Sequence, residues 1–180
     1  MDTTSTNKIW TNSGDSHVIE PENLWRDSVP ERYSELMPHS VKDADGEWET
    51  VHVDGKSFRR KLPGKAQLEF MESSMRAPGA FDLSKRLVDL DHEGIWGEVV
   101  FPSLGLWNAS FNTREALKAA IRVSNDWRKG QIMTVSKRLV PTAQVSMLSI
   151  DDAVEDLERA AEMGYRAVFL PTTPPSSTPD

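Results

Sequence analysis

The chain has no cysteine, which excludes disulfides, thiolate metal sites and a cysteine nucleophile together. It also lacks an excess of positive charge: 21 lysines and arginines face 28 acidic residues, for a net charge of −7. Nucleic-acid binding needs a basic stripe that displaces counterions from phosphates, so this balance argues against it. The one dense basic run, Arg59-Arg60-Lys61, sits beside an expected hairpin and reads as a solvated loop. No stretch approaches the roughly 20 apolar residues that span a bilayer. Met1 to Lys8 is polar, without the apolar core of a signal peptide, and reads as a mobile tail. These absences leave neither nucleic acid nor membrane as an expected partner, and cytoplasm as the default location. A G-x-S-x-G elbow is missing, and so is a glycine-rich phosphate loop. The Gly94 to Gly97 spacing reads instead as a helix running out into a strand.

What remains is an ordinary globular composition, 38% hydrophobic and 27% charged, long enough at 180 residues for one domain with a real core. Ile9 to Asp15 reads as a short strand. Glu22 to Ser40, with its prolines and mixed charges, reads as loop with a short helical piece. Glu47 to Arg60 alternates around Asp54-Gly55, a turn pair that tolerates positive φ, and so predicts a hairpin. Lys61 to Phe81 shows no clear period and reads as a long excursion over one face.

From there the pattern is regular. Asp82 caps a helix with Leu83, Leu87 and Leu90 on one face, stopping near Gly94. Glu98 to Phe101 is a short buried strand. Asn112 with Glu115 forms a capping-box signature for a helix running towards Val135, with Leu117, Ala120, Ile121 and Trp127 inward. Leu139 to Val145 is a third strand. Asp151 opens a helix with Val154, Leu157 and Ala161 on one face and Gly164 at its stop. Arg166 to Leu170 is a fourth strand, and Pro171 to Asp180 holds too many prolines for a regular element. Strands alternating with helices, with the later strands as apolar runs, predict parallel βαβ units.

The segment Gly14 to Trp25, G-D-S-H-V-I-E-P-E-N-L-W, carries the chemistry. Asp15 and His17 are two apart at a strand end and therefore project from the same face. A carboxylate and an imidazole together can hold a divalent metal, zinc first among them. Glu20 is open to three readings: a third ligand, a partner that orients His17, or a turn residue before Pro21. Ser103, Trp107 and Asn108 follow the second strand and could line a pocket mouth. His39 falls in a loop, His52 in the hairpin, and His92 at a helix end that suits a partly protonated imidazole.

Read as a whole, this segment resembles the opening of the metal-dependent amidohydrolase-related proteins, in the branch that holds aminocarboxymuconate-semialdehyde decarboxylase-like enzymes. Arg86 to Val100, Phe101 to Leu106, Asn125-Asp126-Trp127, Arg138 to Pro141 and Met163 to Pro171 fall in the family's order, so the resemblance spans nearly the whole chain. It implies a (β/α)8 barrel, with Asp15 and His17 as metal ligands and further ligands after the fifth and eighth strands. It implies hydrolysis or decarboxylation of a small carboxylate-bearing substrate, with both reactions open.

Only about four strand–helix units fit into 180 residues. The expected fold is a partial barrel with a hairpin insertion: 8–40 the first strand and metal-type motif, 41–81 the hairpin and excursion, 82–170 the βα repeats, and 171–180 a proline-rich tail. The chain reads as the N-terminal portion of a longer protein, completed by a missing C-terminal half or by a second copy of itself. The alternative is a catalytically inert half-barrel with a structural or oligomerising role.

Overall fold

A computed structural model describes residues 8–64, 66, 67, 69, 70 and 78–171. The expected N-terminal and proline-rich tails, and much of the expected excursion, lie outside the described residues.

Four parallel strands form the main sheet, in the order β1 (Thr11–His17), β5 (Ile95–Phe101), β6 (Leu139–Gln144), β7 (Ala167–Phe169). Each connection carries a helix: α3 (Leu83–Glu93), α4 (Arg114–Arg128) and α5 (Ile150–Met163). Two short helices, α1 (Leu24–Ser28) and α2 (Glu31–Ser34), follow β1. An antiparallel sheet of β2 (His39–Lys42), β3 (Trp48–Val53) and β4 (Lys56–Lys61) then intervenes. The sequence order of the parallel strands is their spatial order, as in the first half of a (β/α)8 barrel.

The predicted hairpin turns at Asp54-Gly55, both with positive φ. It gains a third strand, β2, which places His39 in a sheet and not in a loop, stacked on His52 with ring centroids 5.1 Å apart. The Arg59-Arg60-Lys61 run is strand β4; Arg60 pairs with Glu49 and Arg59 lies over the Trp48 ring. In α3, Asp82 caps as expected, accepting from the Ser84 and Lys85 N–H groups, and Gly94 stops the helix with φ 76°.

Three further expectations need correction. No Asn112–Glu115 capping box forms at α4. Thr113 is the capping residue, and the Asn112 and Thr113 N–H groups are taken at 2.5 and 2.8 Å by the Asp54 carboxylate, reaching over from the hairpin turn. That helix ends at Arg128 in a wider turn, Lys129–Met133, instead of continuing to Val135. Finally, the Val154, Leu157 and Ala161 face of α5 is exposed, while Asp152, Asp156 and Ala160 are buried. The polar face wins because Asp152 accepts from Arg114 and Lys118, and Asp156 accepts from the Ser146 N–H.

Two cores support this frame. One joins α1, the hairpin and α4 through Trp25, Val53, Phe111, Leu117 and Ile121; the other packs α3 on the sheet through Val18, Leu83, Leu90, Val100 and Leu139.

Candidate active site

His17, Phe101, Gln144 and Phe169 are the last residues of the four parallel strands. Strand β1 is polar, T-N-S-G-D-S-H, and its pairing to β5 slips between Ser13 and Ser16. That slip inserts an extra residue around Gly14-Asp15, a bulge of the kind that re-aims side chains beside sites. Ser16 is buried and donates to Glu98 at 2.6 Å, with Arg86 contacting both. Fixing Ser16 on the helix-covered side commits its neighbours Asp15 and His17 to the opposite face.

The His17 ring is oriented by the Pro102 carbonyl, 2.8 Å from Nδ1. A carbonyl only accepts, so Nδ1 carries the hydrogen and the Nε2 lone pair is free in the neutral ring. That Nε2 lies 3.6 Å from Asp15 Oδ1. Two donors at about 2.0–2.1 Å from one tetrahedral ion sit about 3.3 Å apart. The pair therefore fits two positions around one metal, and its second-atom anchoring by a backbone carbonyl is what a metal-bound imidazole requires. Among the described residues, no group of three or more His, Cys, Asp and Glu gathers around one point. His39 and His52 belong to the hairpin sheet, and His92 is exposed at the end of α3.

Glu20 is the organising residue of this face. It is 2% exposed and accepts from the Ser103 and Leu104 N–H groups and, at 2.9 Å, from Arg128. Arg128, 1% exposed, also donates to the Thr142 carbonyl. One buried ion pair thus ties the segments after β1 and β5 to α4 and β6. Burial pushes the Arg128 guanidinium down, and the Glu20 charge opposes this. None of these three hydrogen-bond partners is His17. Gly105 leaves little room for a side chain: a Cβ would meet Gln144 Oε1 at 2.9 Å and Pro102 Cβ at 3.0 Å.

Of the expected pocket residues, Ser103 spends its N–H on Glu20, and Trp107 packs on Phe58 with centroids 5.6 Å apart. Asn108 is buried and lines a 300 Å³ cavity between the ends of β6 and β7. Arg128, Asn125 and Gln144 were not anticipated. Asn125 holds both backbone groups of Gln144, and Tyr165, its phenol pushed up by burial, donates to the Asn125 carbonyl. The signal was present: Asn125 and Arg128 continue the Leu117–Ile121 apolar face of α4, so that face buries a cation and an amide that need partners.

No family model matches the sequence, and neither does any curated protein. Solved structures do match. An amidohydrolase from Mycobacterium avium subsp. paratuberculosis K-10 superposes with a TM-score of 0.68 over 89% of this chain and 48% of its own, at 16% identity. Metarhizium anisopliae IDCase superposes with a TM-score of 0.56 over 93% and 44%, at 14% identity. A 2,6-dihydroxybenzoate decarboxylase from Rhizobium matches 88% of this chain and 38% of its own, at 14% identity and a TM-score of 0.45. The chain spans about half the length of the structures it matches or less, and what it shares with the first two is the fold, a half-barrel of parallel strands and helices.

Proposed function

We propose that this chain forms the metal-holding first half of a metal-dependent hydrolase or carboxy-lyase acting on a small carboxylate-bearing substrate. The observation behind the reading is the Asp15–His17 pair, set 3.6 Å apart on the open face at a strand end. The fold likeness to an amidohydrolase supports it. Asp15 and His17 would hold the ion, zinc first among divalent metals. When bound, the ion lowers the pKa of water or polarises a carboxyl oxygen. The chain's own contribution is positional. Pro102 holds the His17 tautomer, Ser16 keeps the pair facing inward, and Glu20–Arg128 fixes the loops around it. Further ligands and the acid–base group come from polypeptide outside these residues, a C-terminal half or a second copy. The test is the complete protein assayed on small carboxylates, with carbon dioxide release separating decarboxylation from hydrolysis. His17→Ala is expected to lower both metal content and turnover about 100-fold or more; unchanged metal and turnover would overturn the reading.

One observation favours a second reading, a catalytically inert structural half-barrel. A catalytic zinc takes three protein ligands, and the described residues bring two together. Tight zinc binding by the 180-residue chain as a monomer would count against that reading.

A further inference from the structure

Glu20 does not bond to His17, but a single peptide group stands between them. The amide that joins Pro102 to Ser103 is planar and trans, so its C=O and its N–H leave from opposite edges. His17 Nδ1 donates to that C=O at 2.8 Å. The N–H of the same amide, on Ser103, is shared between the two Glu20 carboxylate oxygens at 3.2 and 3.3 Å. Leu104 adds its own N–H to the carboxylate at 2.9 Å, and Arg128 donates to it at 2.9 Å. The hydrogen-bonded run from Arg128 through Glu20 and the amide to His17 is therefore continuous.

Burial gives this run its strength. Glu20, Pro102 and Arg128 are each 2% exposed or less. Hydrogen bonds to an ionised group are the strong ones, and in a low-dielectric interior successive bonds polarise one another. A carboxylate that draws on the Ser103 N–H pushes electron density onto the oxygen of the same amide. The Pro102 carbonyl becomes a better acceptor, which favours the hydrogen on Nδ1 of His17. The lone pair is then left on Nε2, the atom 3.6 Å from Asp15 Oδ1. A metal-bound imidazole commonly receives this help from a carboxylate directly or from a backbone carbonyl. Here the two are joined in series.

We propose that Glu20 is a positioning residue for His17, setting its tautomer and its strength as a ligand through the Pro102–Ser103 amide. The inference rests on the proposed reading of His17 as a metal ligand, but its first test needs no metal. That test is nitrogen-15 NMR of the His17 ring in the metal-free protein. The neutral wild-type ring is expected to carry its hydrogen on Nδ1, and the Ser103 amide proton to exchange slowly. Glu20→Gln is made together with Arg128→Met, so that neither charge is left buried and unpaired. This double variant is expected to move the His17 ring towards the Nε2–H tautomer and to bind zinc about tenfold more weakly, with its circular dichroism retained. A wild-type ring protonated on Nε2, or an unchanged tautomer in the folded variant, would overturn the proposal. Where the variant does not fold, fast exchange of the wild-type Ser103 amide would overturn it, since the carboxylate would then not be holding that group. A wild-type protein with the hydrogen on Nδ1 that binds no zinc would overturn the metal reading alone.

Discussion

At the scale of single residues, the site rests on polar groups whose partners leave little freedom. Arg128 and Glu20 are both nearly inaccessible and satisfy one another together with two N–H groups and the Thr142 carbonyl. Arg128→Met removes a charge and leaves Glu20 buried with an unpaired one. It should cost about 3–5 kcal/mol in urea unfolding, with Glu20→Leu added to it recovering part of that loss. A loss below about 1 kcal/mol for the single variant would show that water reaches the pair. Gly105→Ala should cost about 1–3 kcal/mol, because its methyl presses on Gln144 and Pro102. That Asp15 and His17 come within 3.6 Å of one another could be read from spacing alone, since period two in a strand is a local property. The role of Glu20 could not: its partners lie 83 to 108 residues away, and nothing local distinguishes a buried glutamate from a turn residue.

At the scale of elements, local signals held where the partner was local. Asp82 and Gly94 bound α3 as their types dictate. They failed where a distant group intervened. Asp54, placed by the hairpin turn, takes the N–H groups that a capping box at α4 would have used. Asp54→Ala should therefore destabilise the fold by about 1–2 kcal/mol, the lost cap adding to the strain of alanine at the positive φ of this turn position. Asn112→Ala should cost less, since its backbone and not its side chain is the capped group; the reverse ranking in thermal unfolding would contradict this assignment. For α5, hydrophobicity pointed to the Val154–Leu157 face, but Arg114 and Lys118 draw Asp152 inward. The Arg114 hydrogen bond, chiefly, holds the Asp152 carboxyl at about 2, against an ordinary 3.8. A depressed folded-state value contributes stability that is present above about pH 4 and is lost as pH falls through about 2. Unfolding free energy measured from pH 5 to 2 should show this loss, and Asp152→Asn should flatten it.

At the scale of the molecule, the alternation of strands and helices was legible because β5, β6 and β7 carry short apolar runs between segments of helical period, although only β6 is buried along nearly all its length. The extra strand β2 was not, since H-S-V-K is short and polar and gains strand form only by pairing with β3. The described fold leaves β1 and β7 as sheet edges, and Ile150, Val154, Leu157, Val168 and Leu170 exposed. Unpaired edges and apolar faces of this kind demand cover. Among the described residues no helix is long and apolar enough to cross a membrane. Expressed alone, the 20.2 kDa chain should sediment as an associated species. A monomer with cooperative unfolding would show instead that the half-barrel stands by itself.

Whether Asp15 and His17 hold a metal is tested most directly by cobalt(II) titration of the protein, read by visible absorption. If they do, d–d bands saturate at one ion per chain, are displaced by zinc, and disappear in His17→Ala while the far-ultraviolet circular dichroism is retained. Bands of equal strength in His17→Ala, or no saturable binding by the wild-type protein, would contradict it.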